Sequence, residues 1–303
     1  MDFLYLLEKI RLPGLNEFML GITYLGDEIA FLVIALILFW CVDKRNGYYI
    51  LAVGFVGTIA NQFMKLWFRI PRPWVLDENF TILEQAREGA SGYSFPSGHT
   101  QSSVGTFGSI AYTTKNKMIR YAAIVIAVLV PFSRMYIGVH TPLDVLVAAA
   151  MAVVLILLLR PVFYKNNGKY IPVFLGIMTV LAVGFLCFVT FYPFPADTDS
   201  HNLASGIKNA YTLLGSLMGL IVVYFVDEKW LKFPTKAVWW AQIGKVAVGL
   251  LLVLAVKSGM KTVLDGMFGE LVGRAVRYFL IVIVAGIVWP LSFKWFCKLG
   301  CKE

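Results

Sequence analysis

Two of the three histidines in this chain stand in short runs of chemistry-bearing residues. His140 follows Ser133-Arg134 and precedes Thr141-Pro142-Leu143-Asp144; His99 closes Pro96-Ser97-Gly98-His99 at the head of an apolar segment. Lys65 and Arg72 lie seven residues apart, the latter inside Pro71-Arg72-Pro73. Lys65, Arg72 and Arg134 can together bind one phosphoryl group, since an arginine offers a planar fork to phosphate oxygens and a lysine a point charge. The Ser97 hydroxyl and the Gly98 N–H add donors at a helix start, the end of a helix that attracts anions. Two histidines can then divide the chemistry. One attacks phosphorus; the other gives a proton to the leaving alkoxide and later takes one from water. Asp144 has two readings. Thr141 as N-cap, Pro142 at the first helical position and Asp144 three residues after the cap form a capping-box pattern. A carboxylate four residues from His140 can also accept its N–H and fix the ring.

The elements that position these residues are apolar. Of 303 residues 59% are hydrophobic and 15% charged, and the mean hydropathy is +0.74. Soluble domains carry more charge and less apolar residue than this. The chain therefore reads as an all-α, polytopic membrane helix bundle. About nine segments approach the ~20 residues a helix needs to cross a bilayer. They run at 20–41, 47–67, 99–114, 119–137, 142–160, 171–191, 206–226, 237–256 and 275–297, the third being short. Met1–Pro13 is apolar at Phe3, Leu4, Leu6, Leu7 and Ile10 and reads as a short interfacial helix rather than a cleaved leader. Lys65 and Arg72 share a helix face if their helix persists, and Pro71-Arg72-Pro73 then forces an extended exit. The polar stretch 75–95 reads as a lid or a disordered connection.

The net charge of +9 is read as topology rather than as affinity for nucleic acid. Lys44, Arg45, Lys115, Lys117, Arg120, Lys165 and Lys169 fall in short loops of one parity, assigned to the cytoplasm. Parity then puts Lys65/Arg72, Ser97/His99 and Arg134/His140/Asp144 together on the other side. Cys41, Cys187, Cys297 and Cys301 show neither a disulfide framework nor a metal-binding spacing. Lys245, inside the eighth segment, reads as a snorkelling lysine. The division expected is 1–165 as the catalytic core, within the first five or six helices, and 166–303 as additional membrane helices.

Lys65-x6-Arg72-Pro73, then Pro96-Ser97-Gly98-His99, then Ser133-Arg134-x5-His140-x3-Asp144 is similar to the pattern of the type 2 phosphatidate phosphatase superfamily. These are the metal-independent, acid-phosphatase-like enzymes that include the lipid phosphate phosphatases and are related to vanadium haloperoxidases. Every motif position matches, and the resemblance covers about residues 65–160. It implies a phosphatase with His140 as nucleophile forming a phosphohistidine, and Asp144 orienting it. It makes His99 the acid for the leaving group and then the base for water. Lys65, Arg72, Ser97, Gly98 and Arg134 hold the phosphoryl oxygens, with no metal and no cofactor. A site at a membrane surface favours an amphiphile: phosphatidate, a sphingoid-base phosphate or a polyprenyl diphosphate. A soluble sugar phosphate is the alternative substrate, and a non-catalytic anion-binding transporter or scaffold the alternative class. The site is expected on the non-cytoplasmic side, in a bacterial plasma membrane or an ER membrane.

Overall fold

A computed structural model describes residues 1–90 and 92–299, so Cys301 lies outside the described residues. The helices are α1 (Asp2–Lys9), α2 (Pro13–Thr23), α3 (Glu28–Ile37), α4 (Lys44–Phe68), α5 (Pro73–Leu76), α6 (Gly98–Thr113), α7 (Lys117–Tyr136), α8 (Pro142–Tyr164), α9 (Ile171–Phe191), α10 (Ser200–Val226), α11 (Trp239–Gly259), α12 (Lys261–Phe268), α13 (Glu270–Ile283) and α14 (Phe293–Lys298). No strand occurs among the described residues. By length and composition seven helices can cross a membrane, or eight if the bent pair Pro13–Gly26 and Glu28–Val42 counts as one. The protein is thus a multi-pass helical membrane protein.

Two of the expected segments differ. The first, read as one span over 20–41, is broken, and its two arms meet at 56° around Asp27. The third, α6, has 16 residues. That is roughly 24 Å at 1.5 Å per residue, short of a ~30 Å hydrocarbon layer. Its sequence suits an enclosed position instead: Thr100, Gln101, Ser103, Val104, Gly105, Thr106, Phe107 and Ser109 are all buried. Small residues let helix backbones approach closely. A Cβ at Gly57 of α4 would overlap the Gln101 amide, and one at Gly108 would meet Ile156 of α8 at 2.8 Å.

The chain divides into two compact units. The first comprises Met1–Ile34, Tyr49–Lys165 and Pro193–Ala204, and takes in α1, α2, most of α4, and α5–α8. In it α1 buries Leu4 and Leu7 and leaves Phe3, Leu6 and Ile10 exposed. Leu4 packs with Phe80 and Ile82 of the 75–95 stretch, and Tyr5 Oη donates to Asp77 Oδ2 at 2.8 Å. Ala86 and Ala90 are buried as well, and Leu83 N–H donates to Ile137 O at 3.1 Å. That stretch is a cap seated by apolar anchors rather than a disordered connection.

The second unit comprises Ala35–Tyr48, Asn166–Tyr192 and Ser205–Glu303. Gly215 and Gly219, one turn apart on α10, abut Ala275, Phe279 and Val282 of α13 with no room for a side chain. Lys245 does not snorkel. It is fully buried, donates to Trp40 O at 2.9 Å and Thr235 O at 3.0 Å, and lies 4.2 Å from the Phe293 ring centroid. A buried ammonium must find such acceptors, because water is out of its reach.

Candidate active site

Three chain segments converge at one end of α6. The first is the exit of α4. The helix stops at Phe68, Arg69 takes a left-handed φ of 50°, and Arg72 follows with extended backbone between Pro71 and Pro73. Lys65 and Arg72 therefore do not share a helix face; the prolines remove that option. The two cations still meet, because both hold carbonyls of the next segment. Lys65 Nζ donates to Tyr93 O at 2.6 Å, Arg72 Nε to Gly92 O at 2.9 Å, and Asn61 Nδ2 to Pro96 O at 3.3 Å.

The second segment is 92–99. Ser97 is the N-cap of α6, its Oγ accepting from Thr100 N–H at 3.4 Å, and Ser97 N–H donates to Asp144 O at 3.1 Å. Around the position a Gly98 Cβ would take, the nearest atom is Asn61 Oδ1 at 3.8 Å. That is ordinary van der Waals contact, and Gly98 is half-buried.

The third segment joins α7 to α8. Gly138 has a φ of 89°, its N–H reaches Met135 O at 3.0 Å, and Val139 N–H reaches Arg134 O at 3.1 Å. This is a Schellman ending, which needs a left-handed residue and here has a glycine. It leaves Arg134 on the last turn of α7 and turns the chain so that His140 opens α8. Both readings of Asp144 then hold at once. Its Oδ2 accepts Thr141 N–H at 2.7 Å, completing the capping box, and lies 3.4 Å from His140 Nδ1.

Arg72 lies against the His140 ring. Arg72 Nη1 is 2.9 Å from His140 Nε2 and 2.9 Å from Val139 O. Arg72 Nη1 also lies 3.5 Å from Nδ1, whereas the Asp144 carboxylate, which only accepts, stands 3.4 Å from Nδ1 and favours a proton there. His140 is 1% exposed. Burial first, then the charges of Arg72, Arg134, Lys65 and His99, hold it well below the ordinary imidazole range. Arg134 is 2% exposed, and only its Nη1 is bonded, to Thr23 Oγ1 at 2.8 Å; Nε and Nη2 have no hydrogen-bond partner. Lys65 lies within electrostatic reach of Arg72, Asp144 and Arg134.

All eight residues singled out in the sequence are thus gathered in one place. The structure adds others. Ser94 is fully buried, and its Oγ donates to Asp144 Oδ2 and stands 3.4 Å from His140 Nδ1. Asp27 Oδ1 is 2.6 Å from His99 Nε2. Nothing in the His99 motif points to that carboxylate. The available signal was an acid in the middle of an apolar segment, which is costly enough to call for a partner. Among the described residues no three His, Cys, Asp or Glu side chains cluster as a metal site.

Such a cationic cradle beside two histidines is suited to a phosphoryl group, and in a chain that crosses the membrane many times it fits the class of multi-pass membrane phosphatases. Comparison with known sequences narrows this. The chain belongs to the PAP2 superfamily, whose model matches residues 45–168; a second model, the transmembrane extension of PAP2 superfamily phosphatases, matches 211–302. Phosphatidylglycerophosphatase B of Bacillus subtilis (strain 168) is 34% identical over 164 residues, 50% of this chain and 76% of that one. Undecaprenyl-diphosphatase BcrC of the same organism is 30% identical over 46% of this chain and 71% of its own. Sphingosine-1-phosphate phosphatase 1 of Mus musculus is 24% identical over 85% of this chain and 62% of its own. No solved structure matches.

Proposed function

We propose that this protein hydrolyses a phosphomonoester or diphosphate of a membrane lipid through a phosphohistidine formed on His140. The observation that carries the reading is Arg134: a guanidinium buried beside Lys65 and Arg72, two of whose nitrogens, Nε and Nη2, have no hydrogen-bond partner among the described residues. A buried charge left this way is costly unless an anion completes it. Arg134, Arg72 and Lys65, with Ser97 and the Gly98 N–H at the head of α6, receive the phosphoryl oxygens and stabilise charge that builds in the transition state. His140 Nε2 attacks phosphorus while Asp144 accepts the Nδ1 proton's hydrogen bond. As the P–N bond forms the P–O bond to the lipid breaks, and His99 gives its proton to the departing oxygen. Water then attacks phosphorus, yields a proton to His99, and the P–N bond breaks to release phosphate. The catalytic work is assigned to residues 1–165, and the site to the non-cytoplasmic face of a bacterial plasma membrane or an ER membrane.

The lipid substrate rests on the three relatives, whose names specify a phosphatidylglycerol phosphate, an undecaprenyl diphosphate and a sphingoid-base phosphate. The test is phosphate release by purified protein from phosphatidylglycerol phosphate, undecaprenyl diphosphate, sphingosine 1-phosphate and glucose 6-phosphate in mixed micelles, with His140→Ala as control. Turnover of at least one lipid far above glucose 6-phosphate, absent in the variant, is expected. Turnover of the sugar phosphate alone, or turnover that survives in His140→Ala, overturns the reading.

A further inference from the structure

The broken first helix pair touches the site twice. Thr23, the last residue of α2, accepts from Arg134 Nη1 at 2.8 Å. Asp27, at the break itself, holds His99 Nε2 at 2.6 Å. Between them Gly26 is buried against the same histidine; a Cβ there would meet Val130 Cγ1 at 2.8 Å, His99 O at 2.9 Å and His99 Cβ at 3.0 Å. A charged residue at a bend in an apolar element is expensive, and the contact it makes is the compensation. These residues precede the segment matched by the superfamily model, which begins at residue 45.

From this contact we infer that Asp27 is the positioning residue of His99, so that the protein has two histidine–carboxylate pairs rather than one. The inference rests on the proposed role of His99 as acid and base. A carboxylate accepts only, so His99 Nε2 carries a proton and Nδ1 is the nitrogen that exchanges protons with the leaving oxygen and with water. The ring is held in that tautomer and orientation by Asp27, as a carboxylate orients the histidine of a serine-protease triad. Arg134 and Arg72 are the other charges that face His99, and both oppose a positive ring. Asp27 supplies an opposite charge that partly offsets burial and the two arginines, which push the ring toward neutrality.

The readout is leaving-group dependence, which a merely structural role does not alter. Full-length wild type, Asp27→Asn, Asp27→Glu, Gly26→Ala and His99→Ala are compared on a lipid phosphate, phosphatidylglycerol phosphate in micelles, and on p-nitrophenyl phosphate, whose leaving group needs little protonation. Glu28→Gln, an exposed neighbour, controls for local charge. General acid catalysis contributes about 10²–10⁴-fold. Losing its orienting partner should cost roughly 10–10²-fold in kcat on the lipid, and under about threefold in the burst of phosphoenzyme from p-nitrophenyl phosphate. Asp27→Glu should recover part of the loss, Gly26→Ala should reproduce it by wedging the break off His99, and Glu28→Gln should equal wild type. If His99→Ala shows the selective loss but Asp27→Asn loses both substrates equally, or loses neither, the positioning role is wrong while the reading of His99 stands. If His99→Ala itself shows no selectivity, both fall.

Discussion

In the proposed reaction His140 attacks phosphorus, which an imidazole can do only while neutral, and its surroundings favour that form. Its depressed pKa means that the nucleophile is neutral above that value and is lost only as pH falls through it. The acidic limb of kcat/KM that belongs to His140 should therefore lie below the ordinary 6.5. Lys65→Met removes one of the charges responsible and should move the limb upward. Comparing the two profiles on one substrate cancels the substrate's own ionisation, and a limb that does not move would show that Lys65 exerts no such field. Asp144 can be divided in the same way. Thr141→Ala removes only the cap, at a cost of about 1 kcal/mol in stability, and should leave kcat near wild type. Asp144→Asn keeps an acceptor for Thr141 N–H but loses the charge behind His140. Turnover should then fall by at least about 10²-fold, since the analogous change in a protease triad costs about 10⁴. Rapid-quench trapping should find acid-labile phosphate on His99→Ala and none on His140→Ala; the reverse pattern would exchange their roles. The Lys65, Arg72, Ser97, His99, Arg134, His140 and Asp144 set was legible because its spacings are local and each motif carries its own chemistry. Asp27 and Ser94 were not, because their partners lie in other segments. Asp27 also removes one argument available from sequence alone: spacing gives a carboxylate to His140 only, whereas in the folded chain His99 has the shorter contact, 2.6 Å against 3.4 Å.

At the scale of elements, the turn between α7 and α8 sets the distance between Arg134 and His140. Gly138→Ala is the direct test. Its φ of 89° disfavours any L side chain, and a Cβ would meet Arg11 Nη2 at 2.8 Å and Phe80 Cε1 at 3.0 Å. A left-handed conformation costs a non-glycine residue roughly 1–2 kcal/mol before the clash is counted. Thermal stability in detergent and kcat should fall together, because the residue that terminates α7 also aims His140. The 75–95 cap bears on the same turn through Leu83 and Phe80. Polarity and length suggested mobility there, but four buried anchors, Phe80, Ile82, Ala86 and Ala90, hold it. The alternation was hidden by the charged residues between them. The break in the first segment was missed for a similar reason: hydropathy averaged over some 20 residues absorbs one aspartate, although that aspartate marks the bend. The enclosure of α6 is visible only afterwards, in a run of Gly, Ser and Thr that looks merely weakly apolar until neighbours are packed around it.

The whole molecule poses two questions that solution experiments answer. The first is sidedness. If the site lies outside the cytoplasm, as proposed from parity and the distribution of Lys and Arg, Glu84→Cys, an exposed position of the cap, should react with an impermeant maleimide on intact cells. Labelling that requires permeabilisation would invert the topology. The second is the source of positive charge. With Lys65, Arg72 and Arg134 at the site, EDTA should leave turnover unchanged; loss restored by Mg²⁺ would make a metal part of the mechanism. The bundle class was legible from composition and period, but the count was not: nine segments were expected, and seven helices, or eight with the bent pair, are long and apolar enough to cross. Nor was the grouping of the chain, since the sequence divides at about residue 165 while the first compact unit also takes in Pro193–Ala204.

That returning stretch has a consequence for how the protein is made. Asn202 Oδ1 accepts Tyr93 N–H at 3.0 Å, and Asp199 N–H donates to Tyr93 Oη at 3.0 Å. Tyr93 is the residue whose carbonyl holds Lys65. A ribosome delivers Tyr93 to the membrane 109 residues before Asn202. Until α8 and α9 have been threaded and the following loop has emerged, the segment that carries Lys65's acceptor lacks its outer clasp. Assembly of the Lys65 end of the proposed site is thereby tied to the insertion of α9, which contributes none of the residues assigned to that site.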